Sequence, residues 1–327
     1  MTIRIEEATR EQLKLRMGLC APAKAGKTYD ALTFAFALAS QPFPHGVCVI
    51  ETEHRSAAKY AGYVVDGVKW KFNQILLTDF SPSSYVEALN QCAQHGFDVV
   101  IIDSLSHAWA GEGGALDIKD KYSDNKGENS FTAWRHVTPM HNRMIETILR
   151  APFHIIATMR THMEYVMEAN EKGKMIPRKV GMKPIQRAGM EYEFDIIADI
   201  DNAHVLTVSG SRCQAVDNQV VSKPSGAFMR PIIDWLSEGH APEPRIASPQ
   251  REKILELCAL LAISSDGLSK GLRSNYGKEQ LDQLTEVEAA ALISKLDAKV
   301  SAKVDEVLAQ QNAPQNGQEA ASVSVTS

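Results

Sequence analysis

Short apolar runs alternate with helical stretches along most of the chain, and that rhythm sets the first expectations. Residues 13–19 (LKLRMGL) alternate apolar and polar positions as a strand does, and a glycine- and lysine-bearing turn follows them. Residues 29–40 (YDALTFAFALAS) are apolar on most sides of a helix, which predicts a buried one. Residues 46–50 (GVCVI) have strand length, 84–94 have helical spacing, and 97–102 (FDVVII) form a β-branched strand. An amphipathic helix over 135–150 precedes a strand at 153–158 (FHIIAT), and two more strands are expected at 194–200 and 204–209. Continuous apolar strands alternating with helices predict an α/β fold with a mainly parallel sheet covered on both faces.

The pattern changes after Trp235 and Leu236, where a proline-bearing stretch reads as a linker. The expected organisation is an N-terminal extension over 1–12, a core over 13–240, a linker over 241–250, a small helical module over 251–309 and a disordered tail over 310–327. Within the module, 251–263 and 284–296 have helical periodicity, and Thr285 and Glu288 have capping-box spacing. The tail is rich in Gln, Asn, Ala and Ser without apolar periodicity.

Composition narrows the function classes. The chain has 327 residues and a formal net charge of -5, so contact with a polyanion needs a local basic patch rather than bulk charge. Its five cysteines (Cys20, Cys48, Cys92, Cys213, Cys258) form no C-x-x-C pair, which argues against a zinc site or a disulfide framework. The first residues are charged and lack the apolar core of a signal peptide, and no apolar run reaches the roughly 20 residues of a membrane span. The expectation is a cytoplasmic protein with no membrane partner.

Chemistry concentrates in the turn after the first strand. Ala21, Pro22, Ala23, Lys24, Ala25, Gly26, Lys27 and Thr28 fit the P-loop pattern except that Ala21 stands where glycine is usual. Such a loop turns backbone N–H groups toward phosphate oxygens, and the positive end of the next helix adds to the field. Lys27 is expected on the β- and γ-phosphates of ATP, Thr28 on magnesium, and Tyr29 completes the nucleotide-binding stretch. Asp103 ends the FDVVIID strand and is the expected second residue on the Mg²⁺ side. Ser104 follows it where many P-loop helicases have glutamate, so the base for water must come from elsewhere. Glu51 and Glu53, just past the GVCVI strand, are the candidates, since residues at the carboxyl ends of neighbouring strands share one crevice.

With these residues in view, VIETEH (49–54), KYA (59–61) and VVIIDSL (99–105) resemble the RecA-family ATPases. More closely, the chain resembles the RecA-like ATPases that bacteriophages carry in recombination modules, over residues 13–239. The resemblance implies Glu53 as catalytic base, Thr158 as polar sensor of the γ-phosphate, and a basic residue such as Arg212 reaching a neighbour's ATP. Gly210 departs from the family, where lysine is common, and Lys223 or Arg187 are the substitutes. The segment 159–191 reads as a long irregular loop broken by Gly173, Pro177, Gly181, Pro184 and Gly189. Its Arg160, Lys172, Lys174, Arg178, Lys179, Lys183 and Arg187 face three acids up to Gln186. The resemblance assigns Lys172, Lys174, Arg178, Lys179, Lys183 and Arg187 to single-stranded DNA, the other reading being a solvated lid or a subunit-contact hairpin.

The implied function is Mg²⁺-dependent ATP hydrolysis coupled to single-stranded DNA in homologous recombination or annealing, in the cytoplasm of a bacterial host. A homo-oligomer and a single-strand-binding protein are the implied partners. The alternatives are an ATP-gated binding module with negligible hydrolysis and a P-loop kinase.

Overall fold

The computed structural model describes residues 9–39, 46–126, 129–169, 175–239, 246 and 248–311. The chain divides into two compact units, Met1–His240 and Ala241–Ser327.

The first unit is an α/β sandwich. Its elements run β1 (Arg16–Ala21), α1 (Lys27–Leu38), β2 (Val47–Glu51), β3 (Val64–Val65), β4 (Val68–Lys69), β5 (Asn73–Leu76), α2 (Pro82–His95) and β6 (Val99–Asp103). They continue with α3 (His107–Ala110), α4 (Ala115–Lys126), α5 (Ser130–Arg150), β7 (His154–Ala169), β8 (Met175–Pro184), β9 (Ile196–Ile200), β10 (Val205–Ser211), β11 (Val220–Ser222) and α6 (Arg230–Ser237). The main sheet has the order β11-β10-β9-β1-β7-β6-β2-β5, with β8 on β7. Strands β9, β1, β7, β6, β2 and β5 are parallel; β10 runs against them, and β11, antiparallel to β10, returns to their direction.

The period-2 alternation of the strands decides which helix each residue meets. Met17, Leu19 and Ala21 face α1 and α6, in a core with Val49, Ile101, Phe34 and Leu236. The alternate positions, Cys20, Ile50, Ile102 and Ala157, face Leu89 of α2 and Met144 and Ile148 of α5. The α/β class read from the sequence is the class found.

Element bounds shift for local reasons. β1 starts at Arg16 rather than Leu13, because the Leu13 N–H goes to the Leu236 carbonyl and the Leu15 N–H to the His154 ring. α2 begins earlier than its periodicity suggests: the Ser81 hydroxyl accepts the Ser84 N–H at 3.3 Å and Pro82 opens the first turn. Gly96, at φ 70°, ends it.

The largest correction concerns 159–191. The expected loop is a β-hairpin: β7 runs on past Thr158, and β8 pairs antiparallel with it from Thr161↔Pro184 to Ala169↔Met175. Proline and glycine do not break it because β8 pairs only with β7 among the described residues, so Pro177 leaves no ladder bond unmade on the outer edge. A register shift between Glu164 and Tyr165 absorbs a residue next to Gly181. The glycines of residues 111–114 (GEGG) are closely packed. A Cβ at Gly114 would lie 2.6 Å from the His107 carbonyl, and one at Gly113 would lie 2.5 Å from Asp79 Oδ1. They make the tight turn that joins α3 to α4.

The second unit is helical: α7 (Ser248–Leu260), α8 (Ser265–Tyr276) and α9 (Glu286–Gln311). Ile254, Leu257, Leu272, Leu284 and Leu296 form its core. Thr285 and Glu288 make the reciprocal box, Thr285 N–H donating to the Glu288 carboxylate at 2.8 Å and Glu288 N–H to the Thr285 hydroxyl at 3.2 Å. α8 is an addition to the sequence reading. Among the described residues no helix is long and apolar enough to cross a membrane.

Candidate nucleotide site

The parallel strands β1, β2 and β6 end at one edge of the sheet, where β7 runs on out of it, and the reactive side chains gather there, as topology requires of an open α/β sheet. β1 delivers the chain into residues 22–26, and α1 begins at Lys27. The loop closes through left-handed residues, Lys24 at φ 66° and Gly26 at φ 99°. Glycine is also needed for space, because a Cβ on Gly26 would lie 3.1 Å from the His204 ring. Ala21 needs no such freedom. It remains in strand register, opposite Arg160 of β7.

Asp103, fully buried at the end of β6, joins three elements. The Thr28 hydroxyl donates to one carboxylate oxygen at 2.7 Å and the Thr158 hydroxyl donates to the other at 2.5 Å. Burial pushes this carboxyl up, and the two hydroxyls pull against that. Magnesium in a P-loop takes few protein ligands and fills its shell with phosphate oxygens and water. The adjacent Thr28 hydroxyl and Asp103 carboxylate suit that demand. Thr158 is buried with its hydroxyl spent on Asp103, so it positions the aspartate rather than facing the phosphate.

The two candidate bases differ sharply. Glu51 is buried and accepts the N–H groups of Glu53 and Ala57 at 2.7 and 2.9 Å, so its carboxylate closes the turn after β2. Glu53 instead points its Oε1 at Arg160 Nε, 2.9 Å away, and at Lys27 Nζ, 3.8 Å away. Burial alone would push its carboxyl up, but the Arg160 hydrogen bond and the charges of Lys27 and Arg160 hold it below the ordinary range. It is therefore ionised at neutral pH. Beside it, Thr52 and the His107 ring share a 2.6 Å hydrogen bond, and Phe80 stacks on that ring.

Lys27, Thr28, Glu53, Tyr60, His204 and Lys223 line one cavity of about 710 Å³, within the size range of small-ligand sites. A family model described as an AAA domain matches residues 13–221, well over half of the chain. The chain belongs to this AAA-domain family. No curated protein matches it. The match runs from before β1 into β11 and marks this part of the chain as an AAA-type P-loop ATPase domain.

Within this AAA domain the other expected residues scatter. Arg212 follows β10, which runs against its neighbours, so it sits at the edge where β9 begins, paired with Asp195 at 3.1 Å. That is the sheet edge opposite its own P-loop. Lys223, the expected substitute for it, lines the chain's own nucleotide cavity instead. Arg187 donates to the Asn142 side-chain oxygen at 3.2 Å. Arg178 and Lys179 lie on β8, opposite Val166 and Tyr165, and Lys183 lies opposite His162. Lys172 and Lys174 fall outside the described residues.

The sequence reading missed Arg160 as a site residue and counted it only as loop charge. Its place two residues after Thr158, on a strand adjacent to β1, was the available signal. Asp30 and His204 were missed too, and nothing in their spacing points to them.

Proposed function

We propose that this AAA-type ATPase hydrolyses ATP with Glu53 as base and couples turnover to single-stranded DNA held along the β7–β8 hairpin. The single observation that carries the reading is Arg160. Its side chain meets Glu53, its N–H donates to the Ser106 hydroxyl at 2.9 Å, and its carbonyl accepts the Ile185 N–H at 2.7 Å, just past β8. One residue thus joins the reacting end of the nucleotide cavity to the root of a basic ribbon.

In this mechanism Lys27 and the loop amides hold the phosphates, and Glu53 orients water and takes its proton. Arg160 and Lys27 bring positive charge to where negative charge grows. Thr28 and Asp103 hold magnesium, which supplies further neutralisation of the phosphate oxygens. Lys183, Arg178, Lys179 and Arg187 contact the DNA backbone, joined by Lys172 and Lys174. Arg212 faces away from its own cavity, which supports a role on a neighbour's ATP in a homo-oligomer. The setting is recombination or annealing of the kind that phage modules carry out in a bacterial cytoplasm, with a single-strand-binding protein as a further partner.

A second reading draws on the same ion pair. If Arg160 never releases Glu53, the protein is an ATP-gated DNA-binding module that hydrolyses negligibly. ATP turnover with magnesium, with and without single-stranded DNA, separates the two. Stimulation by DNA that falls by about 10²–10⁴-fold in Glu53→Gln supports hydrolysis with Glu53 as base. Bound ATP without turnover, with or without DNA, leaves the gated module. Turnover indifferent to DNA removes the nucleic-acid reading.

A further inference from the structure

We propose that Asp30 reads the sugar of the bound nucleotide, its carboxylate accepting a hydrogen bond from a ribose hydroxyl. The proposal rests on the nucleotide-binding reading of the cavity. Asp30 stands in the first turn of α1, only 5% exposed, and lines the same cavity as Lys27 and Thr28. Its Oδ2 is buried without any hydrogen-bond partner. A buried acceptor left unmade costs on the order of 1–3 kcal/mol, more if charged, so a carboxylate oxygen in this state calls for a donor that binds there.

The neighbours cannot supply that donor. The Thr33 hydroxyl donates to the Tyr29 carbonyl at 2.9 Å. His204 Nδ1 lies 2.9 Å from the Ala25 carbonyl. That carbonyl can only accept, so Nδ1 carries the proton and spends it there. Gly26 adds no side chain between the carboxylate and the loop, for the nearest point its Cβ would reach is 3.9 Å from Oδ2.

The part of the nucleotide that meets Asp30 follows from its place. Phosphates belong to the loop and Lys27, and a carboxyl group would repel them. Tyr60, Val65, Asp66 and Pro224 also line the cavity, whose volume of about 710 Å³ has room for a base. Asp30 lies one turn behind Gly26, where the sugar joins the phosphates. Ribose hydroxyls are donors that acidic side chains commonly accept.

Binding of ATP, 2′-deoxy-ATP and 3′-deoxy-ATP to the full chain, measured by calorimetry, tests this. The wild type is expected to bind at least one deoxynucleotide about 10-fold or more weakly than ATP, the size of a hydrogen bond to a charged group. Asp30→Leu should weaken ATP to the level of that deoxynucleotide and leave the deoxynucleotide itself within about twofold. Asp30→Asn, nearly isosteric, keeps the test intact if the leucine variant does not fold. Its neutral acceptor should bring the ratio down to about threefold. Equal binding of all three nucleotides by the wild type overturns the proposal, and so does a ratio that survives both substitutions. A wild type that binds none of the three overturns the nucleotide reading beneath it, a result told apart from equal binding by the absence of any ATP signal.

Discussion

The nucleotide edge of the sheet and the β7–β8 hairpin begin from the same strand and are built on opposite principles. At the edge, Thr28, Asp103 and Thr158 come from three elements and lock one another through buried hydrogen bonds of 2.7 and 2.5 Å. Past Arg160, β7 leaves the main sheet and, among the described residues, pairs with β8 alone. Its cations are strung along a strand rather than gathered by convergence. The difference teaches where each task belongs. Chemistry that tolerates little displacement sits on strand ends fixed by two cores, whereas recognition of a repeating backbone needs only a row of cations.

Arg160 is the joint between the two regions, and removing it should have the largest effect. In Arg160→Ala, ATP turnover is expected to fall about 10²-fold, as for loss of one charge aimed at a developing anion. The remaining turnover should no longer respond to single-stranded DNA. A variant that keeps the wild-type ratio of stimulated to unstimulated turnover would show that the hairpin and the site communicate by another route.

Thr158→Val sharpens the account of the nucleotide edge. If Thr158 serves Asp103, the loss leaves a buried carboxylate oxygen without its donor and costs about 1–3 kcal/mol of stability. Thermal melting without nucleotide reads this directly, and a melting temperature equal to that of the wild type would return Thr158 to the phosphate.

A further test at the same edge uses pH. The folded Asp30 carboxyl titrates near 7, above its ordinary value of 3.8. Between those values the folded chain holds a proton that the unfolded chain has lost, so this group's contribution to stability falls as pH rises through that window. Asp30→Asn lacks that loss. It should melt above the wild type at pH 8, with the gap closing toward pH 4, and a gap independent of pH would place the cost of Asp30 elsewhere.

The two regions were unequally legible in the sequence. The P-loop and Asp103 could be read because their chemistry is compressed into a few adjacent residues between a strand and a helix. Glu53 was legible as one of a pair, and burial separates it from Glu51. The Glu53–Arg160 pair spans 107 positions, and only the sheet order β7-β6-β2 brings it together. Asp30 looks like an ordinary first-turn acid until its missing partner is seen. The hairpin was misread because glycine and proline are local signals, and their meaning depends on whether the strand edge is paired. Likewise α8 contains Gly267 and Gly271, which weaken its helical signal, yet the Ser264 hydroxyl caps it and Leu272 anchors it in the core of the second unit.

The smallest effect is expected on the hairpin itself. If the ribbon binds DNA through many equivalent phosphate contacts, no single cation carries the affinity. Lys183→Ala should then weaken binding of single-stranded DNA only a few-fold at moderate salt. It should also lower the slope of log K against log salt by about 0.7, the share of one phosphate on a single strand. Titrations at several salt concentrations measure both quantities together. A large loss with no change in slope would mean that Lys183 holds the hairpin in shape rather than touching phosphate. The contrast between a converging site and a repeating ribbon would then fail at its second term, for the ribbon too would depend on one fixed contact.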